Sequence, residues 1–321
     1  MKSKPIIIVA GEPYSVFLEI FFKSLKANNF KKPIILIVSK KLLINQMKKL
    51  KFNFKINLMD KNNLNFKNLE RKKINIIDVD FKFKNSFSKI SDKSNSYIKE
   101  SFDIALNILK KNNCSGLING PISKKNFLKK KFLGITEYLA NKSKKNHNVA
   151  MLIYNEKLAV SPITTHLPVK KIHQKITKKK IITHVKLISE FYQKRFKKIP
   201  NIAITGLNPH CESNYTSSEE DKIIKPAIKR LRINKYRVSG PFAADTIFLK
   251  EKSKNFHVII GMYHDQVLTP IKTLFGFDAI NITLGLQFIR ISPDHGPNTE
   301  MLGKNLSNPI SLIKAIKFLE N

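Results

Sequence analysis

No apolar run in the sequence approaches the ~18 residues that a membrane-spanning helix needs, which argues against a membrane partner. Cysteine is almost absent. Cys114 and Cys211 cannot build a disulfide framework and have no zinc-knuckle spacing, so a reducing cytoplasm is the simplest location. The basic start and short apolar run at the N-terminus end in Gly11-Glu12-Pro13, which reads as a strand end and not as a signal-peptide cleavage site. Glycine-rich signatures are missing too. No G-x-G-x-x-G follows a strand, and there is no P-loop, G-x-S-x-G elbow or HExxH. A dinucleotide, if bound, needs a different kind of pocket.

Acidic residues are scarce: 23 Asp+Glu stand against 59 Lys+Arg, a formal net charge of +36. Such a charge can signal a polyanion partner. Here lysine travels with asparagine and isoleucine throughout, as in a chain encoded by A- and T-rich codons. The basic residues are scattered, and no aromatic-interleaved motif accompanies them. The expectation is no nucleic-acid partner and a field that favours an anionic small substrate.

Lysine and arginine become scarce in one stretch. Between Lys254 and Lys304 only Lys272 and Arg290 occur, where composition alone would place roughly nine. The same window holds five of the eleven glycines and three of the eight histidines. A buried core would also exclude lysine, but it has no need of Tyr263-His264-Asp265-Gln266 or Ser292-Pro293-Asp294-His295-Gly296. These polar clusters point to a functional site, with Asp294, His295 and Gly296 as a cofactor-binding loop.

The whole chain of 321 residues is long enough for two domains or one large α/β unit. Short β-branched runs at Pro5–Ala10, Pro33–Val38, Ser115–Gly120, Val149–Tyr154, Leu158–Ile163, Ile202–Thr205, Val258–Tyr263 and Ala279–Leu284 read as strands. Amphipathic patterns around Val16–Leu25, Lys40–Leu50, Ser94–Leu109, Ile181–Phe196, Glu219–Leu231 and Ile310–Leu319 read as helices, with Pro226 able to kink the fifth. The alternation implies parallel sheets with helices on both faces.

Several of these strands end in polar turns, where open parallel sheets bind ligands. Three such turns deliver a histidine: His166, His210 and His264. Three neutral imidazoles at one sheet edge can hold a divalent ion with its double charge intact and positions left open. They can equally be three unrelated turn residues, and the residues alone leave both readings open.

The motifs follow one another in a recognisable series. It runs Gly11-Glu12-Pro13 with Glu19, Gly120-Pro121-Ile122-Ser123-Lys124, Gly134-Ile135-Thr136-Glu137 and Thr165-His166-Leu167-Pro168. It continues with Gly206-Leu207-Asn208-Pro209-His210, Gly240-Pro241-Phe242-Ala243-Ala244-Asp245-Thr246, Tyr263-His264-Asp265-Gln266, Asn281-Ile282-Thr283-Leu284-Gly285-Leu286 and Asp294-His295-Gly296. This series resembles the 4-hydroxythreonine-4-phosphate dehydrogenase family of vitamin B6 biosynthesis across nearly the whole chain. The resemblance implies two α/β/α domains around a cleft, as in the isocitrate and isopropylmalate dehydrogenases. Approximate borders put residues 1–125 with 285–321 in one domain and 126–284 in the other.

The resemblance further implies a homodimer with the active site near the subunit interface, and a phosphorylated small-molecule substrate. It implies NAD, or NADP in its place, and a divalent metal such as Zn, Mg or Co. Oxidation and decarboxylation would give 3-amino-2-oxopropyl phosphate. The family's metal ligands fall on His166, His210 and His264, and its substrate contacts on Thr136, Lys272, Asn281 and Arg290. Asp245 is the candidate for proton handling, with a helix N-terminal carboxylate as its structural alternative; Lys272 joins it as a catalytic candidate.

Two departures stand out. The first turn continues Ser15-Val16-Phe17 where the family has a Gly-Ile-Gly type sequence. The family's substrate-binding histidine is Ile135 here. That change keeps two alternatives open: a paralogue acting on a different hydroxy acid, and a basic binding protein that kept the fold without turnover.

Overall fold

The computed structural model describes residues 4–321 except 62, 112, 130, 133, 144–147, 212–216, 277 and 294. The chain opens with β1 (Ile6–Val9), α1 (Phe17–Ala27), β2 (Ile34–Val38), α2 (Lys40–Lys49), β3 (Ile56–Met59) and β4 (Ile74–Asp78). Then come α3 (Asn95–Lys110), β5 (Gly116–Asn119), α4 (Ile135–Lys142), β6 (Ala150–Tyr154), β7 (Ala159–Thr164) and α5 (Lys178–Phe196). They are followed by β8 (Ile202–Thr205), α6 (Lys225–Ile233), β9 (Val238–Phe242), α7 (Ala244–Ile247) and α8 (Lys250–Ser253). The chain closes with β10 (Val258–Tyr263), α9 (His264–Phe275), β11 (Ile280–Leu284), β12 (Arg290–Pro293) and α10 (Ile310–Glu320). It divides into two compact α/β units, 1–135 with 288–321, and 136–287.

In the first unit the strand order is β3-β4-β2-β1-β5-β12, and its pairs are parallel. The runs IIIV and IILIV read as strands because β-branched side chains suit a sheet covered on both faces, and Ile6 to Val9 are fully buried. The connection from β1 through α1 steps one way along the sheet, and that from β4 through α3 steps back. Right-handed crossovers therefore put α1 and α3 on opposite faces. Phe17, Phe21 and Phe22 of α1 are at most 1% exposed and contribute roughly 1.5–3 kcal/mol each by burial.

Where the winding reverses, β1 and β5 lie side by side and end together. A Cβ on Gly120 would stand 2.1 Å from the Ala10 carbonyl oxygen, so only glycine permits this approach.

In the second unit the order is β11-β6-β7-β10-β8-β9. β7, β10, β8 and β9 are parallel, while β6 runs antiparallel to both β7 and β11. The carboxyl ends of β7, β10, β8, β9 and β11 thus share one edge. Thr177 caps α5 by accepting from the Lys180 N–H, and Ile181, His184, Val185, Ile188 and Tyr192 form its buried stripe.

The helix expected over Glu219–Leu231 is one continuous helical run that changes its turn width. A π-helical turn, Glu220–Ile224, leads directly into α6, the Lys225 N–H bonding back to the Glu220 carbonyl, and Pro226 follows this widened turn. β9 and β12 carry no strand signal in the sequence. The first contains Gly240-Pro241 and lies at the outer edge of its sheet, where proline is tolerated; the second is four residues opened by a buried arginine. Among the described residues no helix is long and apolar enough to cross a membrane.

Candidate active site

The three histidines singled out by the sequence follow three strands that are neighbours in the second unit: β7, β10 and β8. His166 lies two residues past β7. His264 opens α9 directly after β10, and the two imidazole rings are 5.5 Å apart between centroids. His264 Nδ1 lies 2.6 Å from Asp265 Oδ1. A carboxylate only accepts, so Nδ1 is the donor in this pair, and in a neutral imidazole Nε2 is then the nitrogen open to a ligand.

His210 sits on the turn after β8 with a left-handed backbone, φ 57°, and Cys211 follows at φ 61°. The described residues contain no ready group of three His, Cys, Asp or Glu side chains converging on one point. By donor chemistry alone, three neutral imidazoles are the ligand type that suits a divalent ion, and their turns follow neighbouring strands.

The His210 turn is held by a buried carboxylate. Glu220 accepts from the Leu207 and Asn208 N–H groups at 2.7 and 2.9 Å and from Asn208 Nδ2 at 2.8 Å. Burial works to raise its pKa, but these hydrogen bonds, led by those from Asn208, outweigh it and hold the carboxyl below its ordinary range. The His166 turn is tied in turn to α4, where Glu137 Oε1 accepts from Thr165 Oγ1 at 3.3 Å.

The expected substrate residues divide between the units. Thr136 on α4 is buried with its hydroxyl 3.3 Å from that of Thr283 on β11. Asn281 lies two residues before Thr283, hence on the same face of β11, and its Oδ1 is buried without a hydrogen-bond partner. Lys272 is exposed on α9, eight residues after His264, and Asp245 is exposed in the first turn of α7, after β9.

Arg290 belongs to the first unit, at 0% exposure, and its Nε donates to Asn119 Oδ1 at 2.7 Å. Asp294 lies outside the described residues. His295 stacks on Phe17 at 6.4 Å between centroids, so the departure at Phe17 packs directly against the expected cofactor loop. Gly296 is exposed, with only Asn298 Oδ1 near where a Cβ would stand.

Glu12, Glu137, Glu220 and Gln266 received no role from the sequence. Their signal was position alone: each lies within or beside a motif that ends a strand or opens a helix. Glu12 is 2% exposed, and burial pushes its carboxyl up to about 7, against hydrogen bonds from Ser94 Oγ and the Tyr14 backbone.

Residues 29–319 match the family model described as pyridoxal phosphate biosynthetic protein PdxA. The chain belongs to this family. A 4-hydroxythreonine-4-phosphate dehydrogenase of Sulfurihydrogenibium sp. is 40% identical over 248 residues, 76% of this chain and 75% of the relative. One from Bradyrhizobium diazoefficiens is 38% identical over 208 residues, covering 63% and 60% respectively. Among solved structures, the 4-hydroxythreonine-4-phosphate dehydrogenase of Klebsiella pneumoniae superposes with a TM-score of 0.84 at 25% identity, over 99% of this chain and 98% of that one. A terephthalate 1,2-cis-dihydrodiol dehydrogenase from Burkholderia xenovorans shares the fold at a TM-score of 0.65 and 19% identity, over 99% of this chain and 97% of that one.

Proposed function

We propose that the protein catalyses NAD-dependent, divalent-metal-dependent oxidation and decarboxylation of 4-phosphohydroxy-L-threonine to 3-amino-2-oxopropyl phosphate, a step of vitamin B6 biosynthesis. NADP is the alternative acceptor. The observation that carries the reading is the delivery of His166, His264 and His210 by three neighbouring strand ends, with Thr136, Asn281 and Lys272 in the same unit.

Polarisation of the substrate oxygen and acceptance of the hydride are the chemistry of the metal and the nicotinamide. The three imidazoles would hold a Zn, Mg or Co ion without reducing its charge. Lys272 and Arg290 neutralise anionic substrate groups, and Thr136 offers a hydroxyl to the substrate. Asn281 Oδ1, buried and unpartnered, suits a substrate N–H or O–H donor. Asp245 exchanges a proton with solvent from its exposed position, and Asp294, His295 and Gly296 take the nicotinamide dinucleotide. The active form is a homodimer with the site near the subunit interface.

Ile135 favours one second reading, a dehydrogenase for an unphosphorylated hydroxy acid, because isoleucine cannot donate to a phosphate oxygen. Alanine at His166, His210 or His264 tests the main proposal. Each variant should lose metal-dependent NADH formation and keep the wild-type melting temperature, since turn residues contribute little core burial. Near-normal activity in two of the three would defeat it.

A further inference from the structure

The parallel ladder between β10 and β8 pairs Ile260 with Ile204, so Met262 stands opposite Gly206 two residues further on. That rung is not closed by backbone. The Gln266 side chain, two residues into α9 past His264, occupies it. Gln266 Oε1 accepts from the Met262 N–H at 2.7 Å and from Thr205 Oγ1 at 2.9 Å, while its Nε2 donates to the Gly206 carbonyl at 2.8 Å. The orientation of the amide is unambiguous, because a backbone N–H can only donate and a carbonyl can only accept.

A primary amide thus replaces a peptide group in the sheet and holds two strand ends one amide width apart. On its other side β10 stays paired with β7 as far as Tyr263 opposite Thr164. The two joins at this edge therefore differ in kind: β10 and β7 stay backbone-paired, with the His166 and His264 ring centroids 5.5 Å apart, whereas β10 and the His210 turn are joined through the inserted amide. The other hydrogen bonds of the His210 turn agree. The Gly206 N–H is bound to the Phe242 carbonyl of β9, and Glu220 holds the next two N–H groups. Gln266 joins this turn to the one carrying His264.

We infer that Gln266 is a positioning residue that sets the separation of the His264 and His210 turns and so tunes the affinity and geometry of the divalent-metal site. The inference rests on the three-histidine reading under the proposed function. Glutamate at this position would still accept from Met262 but would turn a carboxylate oxygen toward the Gly206 carbonyl. Leucine would leave both backbone groups unbonded in a buried setting.

The test is Co2+ binding to the full chain, followed by calorimetry and by the visible ligand-field bands, with melting temperature measured in parallel. Gln266→Leu and Gln266→Glu should weaken Co2+ binding by about ten- to hundredfold and alter the bands, as loss of an outer-sphere support does. Thr205→Val, which removes one of the three bonds, should have a smaller effect in the same direction. A purely structural role would lower the melting temperature and leave the Co2+ affinity and spectrum of the folded variant as in wild type, and that result overturns the inference. Should Gln266→Leu fail to fold, the decision passes to Gln266→Glu and Thr205→Val under the same criterion. Failure of the wild-type chain to bind Co2+ overturns the metal reading and this inference with it, whereas wild-type binding with unchanged variants overturns this inference alone.

Discussion

At Glu12 the chain places a carboxyl group where water does not reach it. One oxygen accepts from Ser94 Oγ at 3.3 Å and the other is buried without a hydrogen-bond partner. The protonated acid suits this setting and the carboxylate does not. Below the ordinary carboxylate range the group is neutral in both folded and unfolded chains, and its contribution to stability is fully present. As pH rises from 4.5 through about 7 the unfolded chain ionises more readily than the folded one, and that contribution is lost. The loss amounts to at most about 3 kcal/mol. Glu12→Gln keeps an acceptor for Ser94 and removes the titration. Its urea midpoint should therefore fall less between pH 5 and pH 8 than that of wild type; parallel curves would show that Glu12 ionises without penalty. None of this is legible in the sequence, where a glutamate between glycine and proline reads as an exposed turn. The placement of His166, His210 and His264 just past strand ends was legible, because each follows an apolar run that reads as a strand.

Among the elements, strands built from β-branched runs were readable and those built from exceptions were not. IIIV and IILIV announce buried strands, whereas VSGPF and RISP depend on partners far along the chain. The ligand edge was inferred from the turns after the strands, but the adjacency of β7, β10 and β8 is a property of topology that no local pattern encodes. α4 illustrates a legible motif with one altered residue. Ile135 is its first residue, half-buried, and is followed by Thr136 and Glu137, each hydrogen-bonded to a different part of the second unit. The helix is intact and one donor is missing. A hydrogen bond to a charged group contributes about 1.5–3 kcal/mol, so Ile135→His should lower KM for the phosphorylated substrate by about tenfold or more with little change in kcat. An unchanged or higher KM would mean that another basic residue holds the phosphate. Lys124 is the first to replace, since it closes the Gly120-Pro121-Ile122-Ser123-Lys124 motif.

For the whole molecule, charge and topology work on different problems. Acidic partners are too few to neutralise 59 basic residues, and pairs such as Lys99–Asp103 and Lys254–Glu251 lie at the surface, where each contributes little. What remains is a positive field, which would raise the local concentration of the anionic substrate proposed above. The α/β class was legible in the alternation of strands and helices, and the motif series was legible as a family. The hydrogen-bonded supports at Glu220 and Gln266 were not, because a buried polar side chain is defined by its partners and not by its neighbours in sequence.

The most direct measurement is stoichiometric: NADH and CO2 released from 4-phosphohydroxy-L-threonine by the purified full chain, with and without added divalent metal. The account predicts equal amounts of both products, dependence on metal, and far weaker turnover of the unphosphorylated amino acid. Equal turnover of the unphosphorylated compound, or no NADH from either under any metal, would contradict it.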